Sequence, residues 1–415
     1  MRVLFATWAQ TGHYQPLVPL GWALRAAGHE VGVLTHPPFA PVVTGSGLPA
    51  VAVGPDIDVT RQLRERYAPL LDTDAIDGAA EFSRRGGWQG RGSPDAGRRR
   101  DEAQNRLGRE MLRIVLDGCW AMLDEAYAYA TEWRPDLIVY EPTGFLGGIL
   151  ATVLKVPSAR VLWAPDFSRP MQNLSQRFFG PVLERFGVPD VDITGTVTLD
   201  PCPTAMQVDD DLPRRPMRYI GYAGALPVAP PALTRRGDRR RVCVTWGTTI
   251  HGLGIDAAYR APDVLRALAG QDVEIVLAVP TSQLAAFGEL PSTVVHAGPI
   301  PLTAVLPACD AVVHQAGGGT TMASVRSGVP QLAVPTLPDT EFNARQMART
   351  GAGIHLAADD AGRDGIDKAV HELLTEPRYG AAAGRLRDEA LAMPTPAATV
   401  RLLEDLAAGR PIEDF

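Results

Sequence analysis

Three consecutive glycines separate an apolar segment from a helical pattern in the stretch HQAGGGTTMASVRSG: Gly317, Gly318 and Gly319. The amino end of a helix carries unpaired N–H groups and the positive end of the helix dipole, so it attracts anions. Thr320 and Thr321 add hydroxyl donors, and His314 adds a further hydrogen bond or a positive charge. We therefore predict a phosphate-binding turn, although a tight packing turn without a ligand would also use glycines.

A histidine and a glutamate follow two other predicted strands. His13 lies in the turn after RVLFAT, and Glu141 ends the segment PDLIVYE. Open parallel sheets bind ligands at the edge formed by the carboxyl ends of their strands, and both residues belong to that edge. A carboxylate beside an imidazole fixes its tautomer and raises its basicity, as a general base requires. A helix-capping histidine and a solvated loop acid are the alternatives.

The elements that would position these residues form two series of alternating strands and helices. The first contains RVLFAT, VGVLT, PDLIVYEP, SARVLWAP and MRYIGY; the second contains RRRVCVTWGTT, DVEIVLAV, STVVHAG, DAVVHQAGGG, PQLAVPT and AGIHLAA. This alternation predicts an α/β protein with two tandem Rossmann-like, doubly wound domains and a cleft between them. The length of 415 residues is enough for two such domains.

The chain divides into four parts on this interpretation. Residues 1–222 form the first domain, and residues 223–240, rich in Pro, Ala and Arg, form a linker. Residues 241–395 form the second domain, and residues 396–415 contain a helix that follows a proline break and returns to the first domain. Residues 56–100 fit neither series, so we predict an irregular insertion there, either a binding loop or a partly disordered segment.

Composition excludes several classes of protein. The net charge of -7 argues against a nucleic-acid partner, which normally requires a basic surplus. The four cysteines show no CxxC pairing and are expected to be buried thiols of a reducing compartment. No apolar run approaches the roughly 20 residues of a membrane span, and the amino terminus looks like a strand and not a signal peptide. A cytoplasmic enzyme without a membrane partner is the expectation.

Two familiar nucleotide motifs are missing, and a metal site is not expected. The glycine triple lacks the GK[ST] ending of a P-loop. The turn after the first strand has one glycine where a dinucleotide fold needs GxGxxG, and Thr35 and His36 supply no acid for a ribose. Three acidic pairs have the spacing of a magnesium or manganese site but lie in loop-like sequence: Asp56/Asp58, Asp190/Asp192 and Asp209/Asp211.

The whole chain resembles the two-domain GT-B glycosyltransferases of natural-product biosynthesis. The resemblance rests on the two α/β series, the TGH turn and the His–x–x–Gly–x–Gly–Thr element that starts at His314. WRPDLIVYEP, MRYIGYAG and RRRVCVTWGTT are similar to the bacterial subgroup that uses dTDP-deoxysugars or dTDP-aminodeoxysugars and polyketide-type aglycones. That resemblance implies an inverting, metal-independent enzyme of antibiotic biosynthesis that uses a nucleotide sugar as co-substrate and needs no cofactor.

The resemblance also implies roles for individual residues. His13 would be the general base for the acceptor hydroxyl, and Glu141 would orient it. The other implied residues would bind the donor's base, diphosphate or sugar: Gly247, Thr248, Thr249, Pro299, Ile300, His314, Gly317, Gly318, Gly319, Thr320, Asp339 and Thr340.

Three positions depart from the pattern of the resembled family. Pro299 stands where Trp or Phe is common, which weakens the expectation of base stacking. Ala316 occupies a position that is usually Gly. Asp339 and Thr340 replace a common Asp-Gln pair, and threonine offers fewer hydrogen bonds than glutamine, which suits a sugar with fewer hydroxyl groups.

Aromatic residues near predicted strand ends would form the acceptor site. An apolar aglycone would suit such walls, and the candidates are Trp8, Trp88, Phe145, Trp163 and Phe167. A nucleotide-sugar epimerase of the same fold and a non-catalytic auxiliary subunit are the alternative functions. The sequence leaves open an activator protein and a homodimer.

Overall fold

The computed structural model describes residues 1–71, 94–168, 175–253, 259–357 and 360–412. Trp88, one of the predicted acceptor residues, lies outside the described residues. Within the described ranges the strands form two separate parallel sheets. This confirms the predicted α/β class with two tandem Rossmann-like domains.

The first sheet has seven strands in the order β3-β2-β1-β4-β5-β6-β7, all parallel to their neighbours. They are β1 (Arg2–Ala6), β2 (Glu30–Thr35), β3 (Ala50–Ala52), β4 (Leu137–Tyr140), β5 (Ser158–Val161), β6 (Val197–Asp200) and β7 (Arg214–Pro216). The order reverses between β1 and β4, which is where doubly wound sheets open a crevice for ligands.

The second sheet repeats this arrangement with six strands in the order β10-β9-β8-β11-β12-β13. They are β8 (Arg241–Thr245), β9 (Glu274–Ala278), β10 (Val294–Ala297), β11 (Ala311–His314), β12 (Gln331–Ala333) and β13 (Gly353–His355). The reversal now falls between β8 and β11. The glycine turn that follows β11 therefore lies at this second crevice.

Helices cover both faces of the two sheets. In the first domain the α-helices are Thr11–Tyr14, Val18–Ala26, Ala40–Gly45, Val59–Gln62, Ala68–Leu71, Pro94–Trp133, Phe145–Leu154 and Ser175–Phe186. In the second they are Thr248–Leu253, Ala261–Leu268, Leu302–Val305, Gly318–Ser327, Pro338–Arg349, Arg363–Thr375 and Pro377–Ala392. The central strands β1, β4, β8 and β11 are apolar and almost entirely buried between these layers, as is typical of parallel sheets.

The last helix, Pro396–Ala407, packs on the first domain although it follows the second in sequence. Thr395 begins this helix by accepting a hydrogen bond from the Ala398 amide. Leu403, fully buried, belongs to the same apolar cluster as Leu20 and Leu24 of the helix Val18–Ala26. The chain therefore crosses between the domains twice, which limits how far they can separate.

Two predictions about local structure are wrong. The segment MRYIGY (217–222) is not a strand, because the ladder between β6 and β7 ends with the Met217 amide, which donates to Asp200, and the Arg218 amide donates to Pro394 instead. The preceding residues form β7 instead. The insertion 56–100 is not irregular throughout: residues 59–71 are helical, with Asp58 as the amino-terminal cap, and a long helix begins at Pro94.

Candidate active site

The carboxyl edges of the two sheets face each other across the cleft. Trp163, which follows β5, packs against the amino end of the helix Gly318–Ser327. The Tyr219 hydroxyl donates to the carbonyl oxygen of Gly319, at 3.2 Å. The side chain of Arg64 donates to the carbonyl oxygen of Gly252 from the helical segment 59–71. These contacts hold the turn after β11 against the first domain, and Trp163 also contacts His13 in the turn after β1.

His13 lies on the first-domain side of this cleft, in the short helix Thr11–Tyr14 that directly follows β1. Its side chain is 23 % exposed, so part of the ring is accessible from the cleft. Trp8 and Trp163 contact the ring edge-on, with centroid distances of 4.9 and 4.6 Å. These two indoles restrict the orientation of the imidazole and make the surface around it apolar.

Glu141 is completely buried at the end of β4, beside the His13 ring. Its Oε1 accepts the Trp8 amide at 2.8 Å and its Oε2 accepts the Thr143 amide at 2.7 Å. The His13 Nδ1 lies 3.5 Å from Oε2, an ion-pair distance and not a short hydrogen bond. The predicted proximity of imidazole and carboxylate is therefore present, but the contact is not direct.

Thr143 fills the gap between these two groups and was missed in the sequence analysis. Its Oγ1 lies 2.8 Å from His13 Nδ1 and 2.8 Å from Glu141 Oε2. The side chain is buried, with 9 % exposure. The sequence did contain a feature that could have identified it: Thr143 follows the predicted Glu141 by two residues and therefore lies at the same sheet edge.

The glycine turn begins the helix Gly318–Ser327, with Gly317 as its amino-terminal residue in extended conformation. The first hydrogen bond of the helix runs from the Thr321 amide to the Gly317 carbonyl oxygen. The amide groups of Gly318, Gly319 and Thr320 precede it, so they are the unpaired donors that an anion can use. The helix ends at Gly328, which adopts the left-handed conformation at φ 67°.

The three glycines are not equivalent. A Cβ on Gly318 would lie 2.6 Å from Trp163 Cδ1 and 3.1 Å from the Ala164 Cβ, whereas one on Gly319 would meet nothing closer than the Tyr219 hydroxyl oxygen at 3.6 Å. Interdomain packing therefore accounts for Gly318. Ala316 adopts φ 63°, in the left-handed region, which explains why glycine is usual there.

His314 is neutral and lies inside the protein, with 1 % exposure. Its Nδ1 accepts the Ala316 amide at 3.0 Å, so its Nε2 carries the proton and donates to Gln331 Oε1, also at 3.0 Å. Burial lowers its pKa to about 4. The expectation of a positive charge from His314 is therefore wrong: this ring braces the glycine turn, and both of its nitrogens are engaged within the protein.

Asp339 and Thr340 begin the helix Pro338–Arg349 but point to different surroundings. Thr340 is 3 % exposed, and its hydroxyl donates to the Leu337 carbonyl oxygen while accepting the Leu337 amide. It is therefore engaged in capping the helix. Asp339 is solvent-accessible within the cleft. Desolvation by the cleft walls raises the pKa of its carboxyl, while backbone donors and nearby His13 act in the opposite direction.

The turn after β8 provides a second stretch of backbone at the same edge. The Gly247 carbonyl oxygen accepts Gln283 Nε2 at 3.2 Å, and the buried side chain of Gln315 occupies the space that a Cβ on Gly247 would need. Thr248 and Thr249 begin the helix that follows. Pro299 and Ile300 follow β10 at this edge, Pro299 half-buried and Ile300 buried in the domain core.

The aromatic residues predicted to bind an acceptor divide into two groups. Trp8, Trp163 and Phe167 are grouped around His13, since the Phe167 ring contacts Trp163 with centroids 5.7 Å apart. Phe145 is 4 % exposed and packs against Phe179 in the core of the first domain. Its contacts are those of a core residue, not of an open wall.

Comparison with known proteins decides the family. Residues 22–247 match the N-terminal domain, and residues 262–406 the C-terminal domain, of the family described as erythromycin biosynthesis protein CIII-like. The chain belongs to this family. One of its relatives is the 3-alpha-mycarosylerythronolide B desosaminyl transferase of Saccharopolyspora erythraea, which is 33 % identical over 439 residues that cover 99 % of both chains.

Two further similarities support the same conclusion. The 10-deoxymethynolide desosaminyltransferase of Streptomyces venezuelae is 35 % identical over 433 residues, covering 98 % of this chain and 97 % of its own. The structure of the spinosyn rhamnosyltransferase SpnG complexed with thymidine diphosphate matches with a TM-score of 0.79 at 29 % identity, covering 97 % of this chain and all of that one. The chain is therefore a GT-B glycosyltransferase, as the resemblance implied.

Two further findings concern the described residues as a whole and not the site. No described helix has the length and apolar character needed to cross a membrane. The four cysteines are free and buried, in agreement with the sequence analysis.

Proposed function

We propose that the chain transfers a deoxysugar from a dTDP donor to a hydroxyl group of a hydrophobic polyketide-type aglycone, with inversion and without a metal ion. The observation that carries this proposal is the meeting of an oriented imidazole and an amino-terminal helix end across one cleft. The first suits a proton acceptor, and the second suits a departing diphosphate. Relatives named for desosaminyl transfer to erythronolide and methynolide support the substrate classes.

The donor would bind to the second domain. Amide groups of Gly318, Gly319 and Thr320 would hold the diphosphate, and the turn at Gly247 and Thr248 would contact its phosphates or the sugar. The base would lie near Pro299 and Ile300. These main-chain donors stabilise the negative charge that develops on the leaving diphosphate, which is the role a metal ion plays elsewhere.

The acceptor hydroxyl would approach His13 from the side lined by Trp8 and Trp163. The Nε2 of His13 takes the hydroxyl proton while the acceptor oxygen bonds to the anomeric carbon. The bond from that carbon to the diphosphate oxygen breaks on the opposite face, so the configuration inverts. Trp163 contacts both His13 and the turn at Gly318, so it can keep the base and the leaving group at a fixed spacing.

We further propose that the sugar carries an amino group. The hydroxyl of Thr340 is engaged in the helix cap, which leaves the carboxylate of Asp339 as the polar group of this pair in the cleft. A sugar with few hydroxyl groups needs few partners there, and a protonated amine pairs with a carboxylate. The amino sugar in both desosaminyl transferase names supports this choice.

Thermal shift with dTDP, UDP, GDP and NAD tests the donor, and transfer from a dTDP-aminodeoxysugar to a macrolactone with and without a chelator tests the reaction. We expect dTDP to raise the melting temperature most and product to form at an unchanged rate in EDTA. Stabilisation by NAD alone, or conversion of the nucleotide sugar without an acceptor, would exclude the transferase. Activity lost in EDTA and restored by Mg²⁺ would exclude the metal-free mechanism.

A further inference from the structure

We infer that Thr143 is a positioning residue that fixes the tautomer of His13, so that Glu141 acts on the base through a hydroxyl group. This inference rests on the proposed function, because it concerns the residue that would accept the proton. The distances carry it: Thr143 Oγ1 lies 2.8 Å from both His13 Nδ1 and Glu141 Oε2, whereas the direct Nδ1 to Oε2 distance is 3.5 Å.

The direction of each hydrogen bond follows from the groups involved. An ionised carboxylate can only accept, and a threonine hydroxyl has one proton to donate. The Thr143 proton therefore points to Glu141, whose Oε1 and Oε2 lie 3.0 and 2.8 Å from Thr143 Oγ1. The oxygen of Thr143 is then left to accept a proton from His13 Nδ1. Nε2 consequently carries a free lone pair, which is the state that a general base needs.

The arrangement around Glu141 is rigid. The carboxylate is completely buried and also accepts the amides of Trp8 and Thr143, so it cannot turn toward His13 without losing these donors. Both the amide and the hydroxyl of Thr143 are hydrogen-bonded to Glu141. A change of its side-chain rotamer would therefore break the bond made by the hydroxyl. The hydroxyl is therefore fixed where the imidazole meets it.

No proton has to reach Glu141 during the reaction. The acceptor's proton moves to His13 Nε2, and the resulting imidazolium keeps its Nδ1 proton hydrogen-bonded to Thr143. Glu141 stabilises this positive charge through the polarised hydroxyl, and also by electrostatic attraction over the 3.5 Å between its Oε2 and His13 Nδ1. Among the described residues, Asp339 across the cleft is a further carboxylate near His13, and a positive charge on that ring favours the ionised form of Asp339 by lowering its pKa.

Thr143→Val and Thr143→Ser form a matched pair for the test. Valine keeps the shape and the backbone donor but removes the hydroxyl, and serine restores it. We expect T143V to lower kcat by roughly 10- to 100-fold, the range known for the loss of a group that orients a metal-bound histidine. KM for the donor and the dTDP-induced thermal shift should stay unchanged, the pH at which the rate is half-maximal should move, and T143S should recover most of the rate.

Histidine ¹⁵N chemical shifts provide a readout that needs no substrate. With the His13 signal assigned by its loss in H13Q, the wild type should show a protonated Nδ1 and a free Nε2. T143V should shift the proton toward Nε2, and T143S should not. A wild-type ring protonated on Nε2, a tautomer unaffected by T143V, or a T143V enzyme with wild-type kcat would each overturn the inference. Failure of the wild type to transfer sugar would instead count against the proposed function, and the tautomer would still decide the role of Thr143.

Discussion

The two sides of the cleft differ in where their proposed functional groups come from: side chains on the first-domain side and main-chain amides on the second-domain side. On the first-domain side, side chains meet: His13, Thr143 and Glu141 come from the turns after β1 and β4. On the second-domain side, the main chain provides the donors at the start of the helix Gly318–Ser327, and its nearest histidine is turned inward. A proton acceptor thus requires particular side chains, whereas an anion site requires a particular path of the main chain.

This difference has a physical basis. A general base needs one nitrogen in one tautomer, which only a specific set of side chains can impose. A diphosphate is large and highly charged, and several amides of a helix end satisfy it whatever side chains follow. The first side should therefore be sensitive to the loss of single atoms, and the second to anything that changes the path of the backbone.

The largest expected effect separates the two sides by function. His13→Ala should lower kcat by about 10²- to 10⁴-fold, the usual contribution of a positioned general base. The variant should bind dTDP with wild-type affinity, because the proposed donor site lies on the other side of the cleft. Steady-state kinetics and calorimetry check both statements. A normal turnover would remove His13 from the mechanism, and a loss of dTDP binding would show that the two sides are not separable.

The second prediction concerns the inward-facing histidine of the donor side. With its pKa lowered to about 4, folded His314 stays neutral while the unfolded chain takes up a proton below pH 6.5. Its contribution to stability is therefore complete above pH 6.5 and is lost as the pH falls to about 4, by roughly 3 kcal/mol. His314→Asn keeps an acceptor for the Ala316 amide and cannot titrate, so its free energy of unfolding should fall less over this range.

The quantity to measure is the difference in free energy of unfolding between wild type and H314N, by denaturant unfolding at several pH values. Asp200 has a pKa raised to about 6 by burial, so its protonation stabilises the fold at low pH and that stability is lost as the pH rises toward 6. Because this opposes the effect of His314, the wild type alone would not isolate it. Parallel curves for wild type and H314N would contradict the neutral, buried assignment.

The smallest expected effect tests the packing of the glycine turn. Gly318→Ala should destabilise the protein by about 1–3 kcal/mol, as overpacked sites do, because its Cβ would meet Trp163. Trp163 also contacts His13, so its displacement should lower kcat as well. Gly319→Ala is the matched control: its Cβ would meet only the Tyr219 hydroxyl oxygen, at an ordinary contact distance of 3.6 Å, and the stability should change little. Equal unfolding midpoints for the two variants would rule out the proposed packing.

The local features predicted correctly were those that depend on residues close together in the sequence. The six strands of the second sheet were predicted from apolar runs between turns. The helix 59–71 was missed although Asp58 is a standard cap, because charged residues masked its buried positions Val59, Leu63 and Tyr67. MRYIGY was assigned to a strand because its composition fits one, yet the β6–β7 ladder ends at Met217 and the Arg218 amide donates to Pro394.

By itself, the sequence determined the two parallel sheets, the turn of three glycines and the residues at the sheet edges, because strand period, helix ends and glycine content are local properties. Only the tertiary structure decided how those residues meet. It placed Thr143 between His13 and Glu141, turned His314 into the core, and brought Trp163 against Gly318 from the other domain. Tautomer, charge and close packing depend on neighbours that are far apart in the chain, and folding alone brings them within hydrogen-bonding distance.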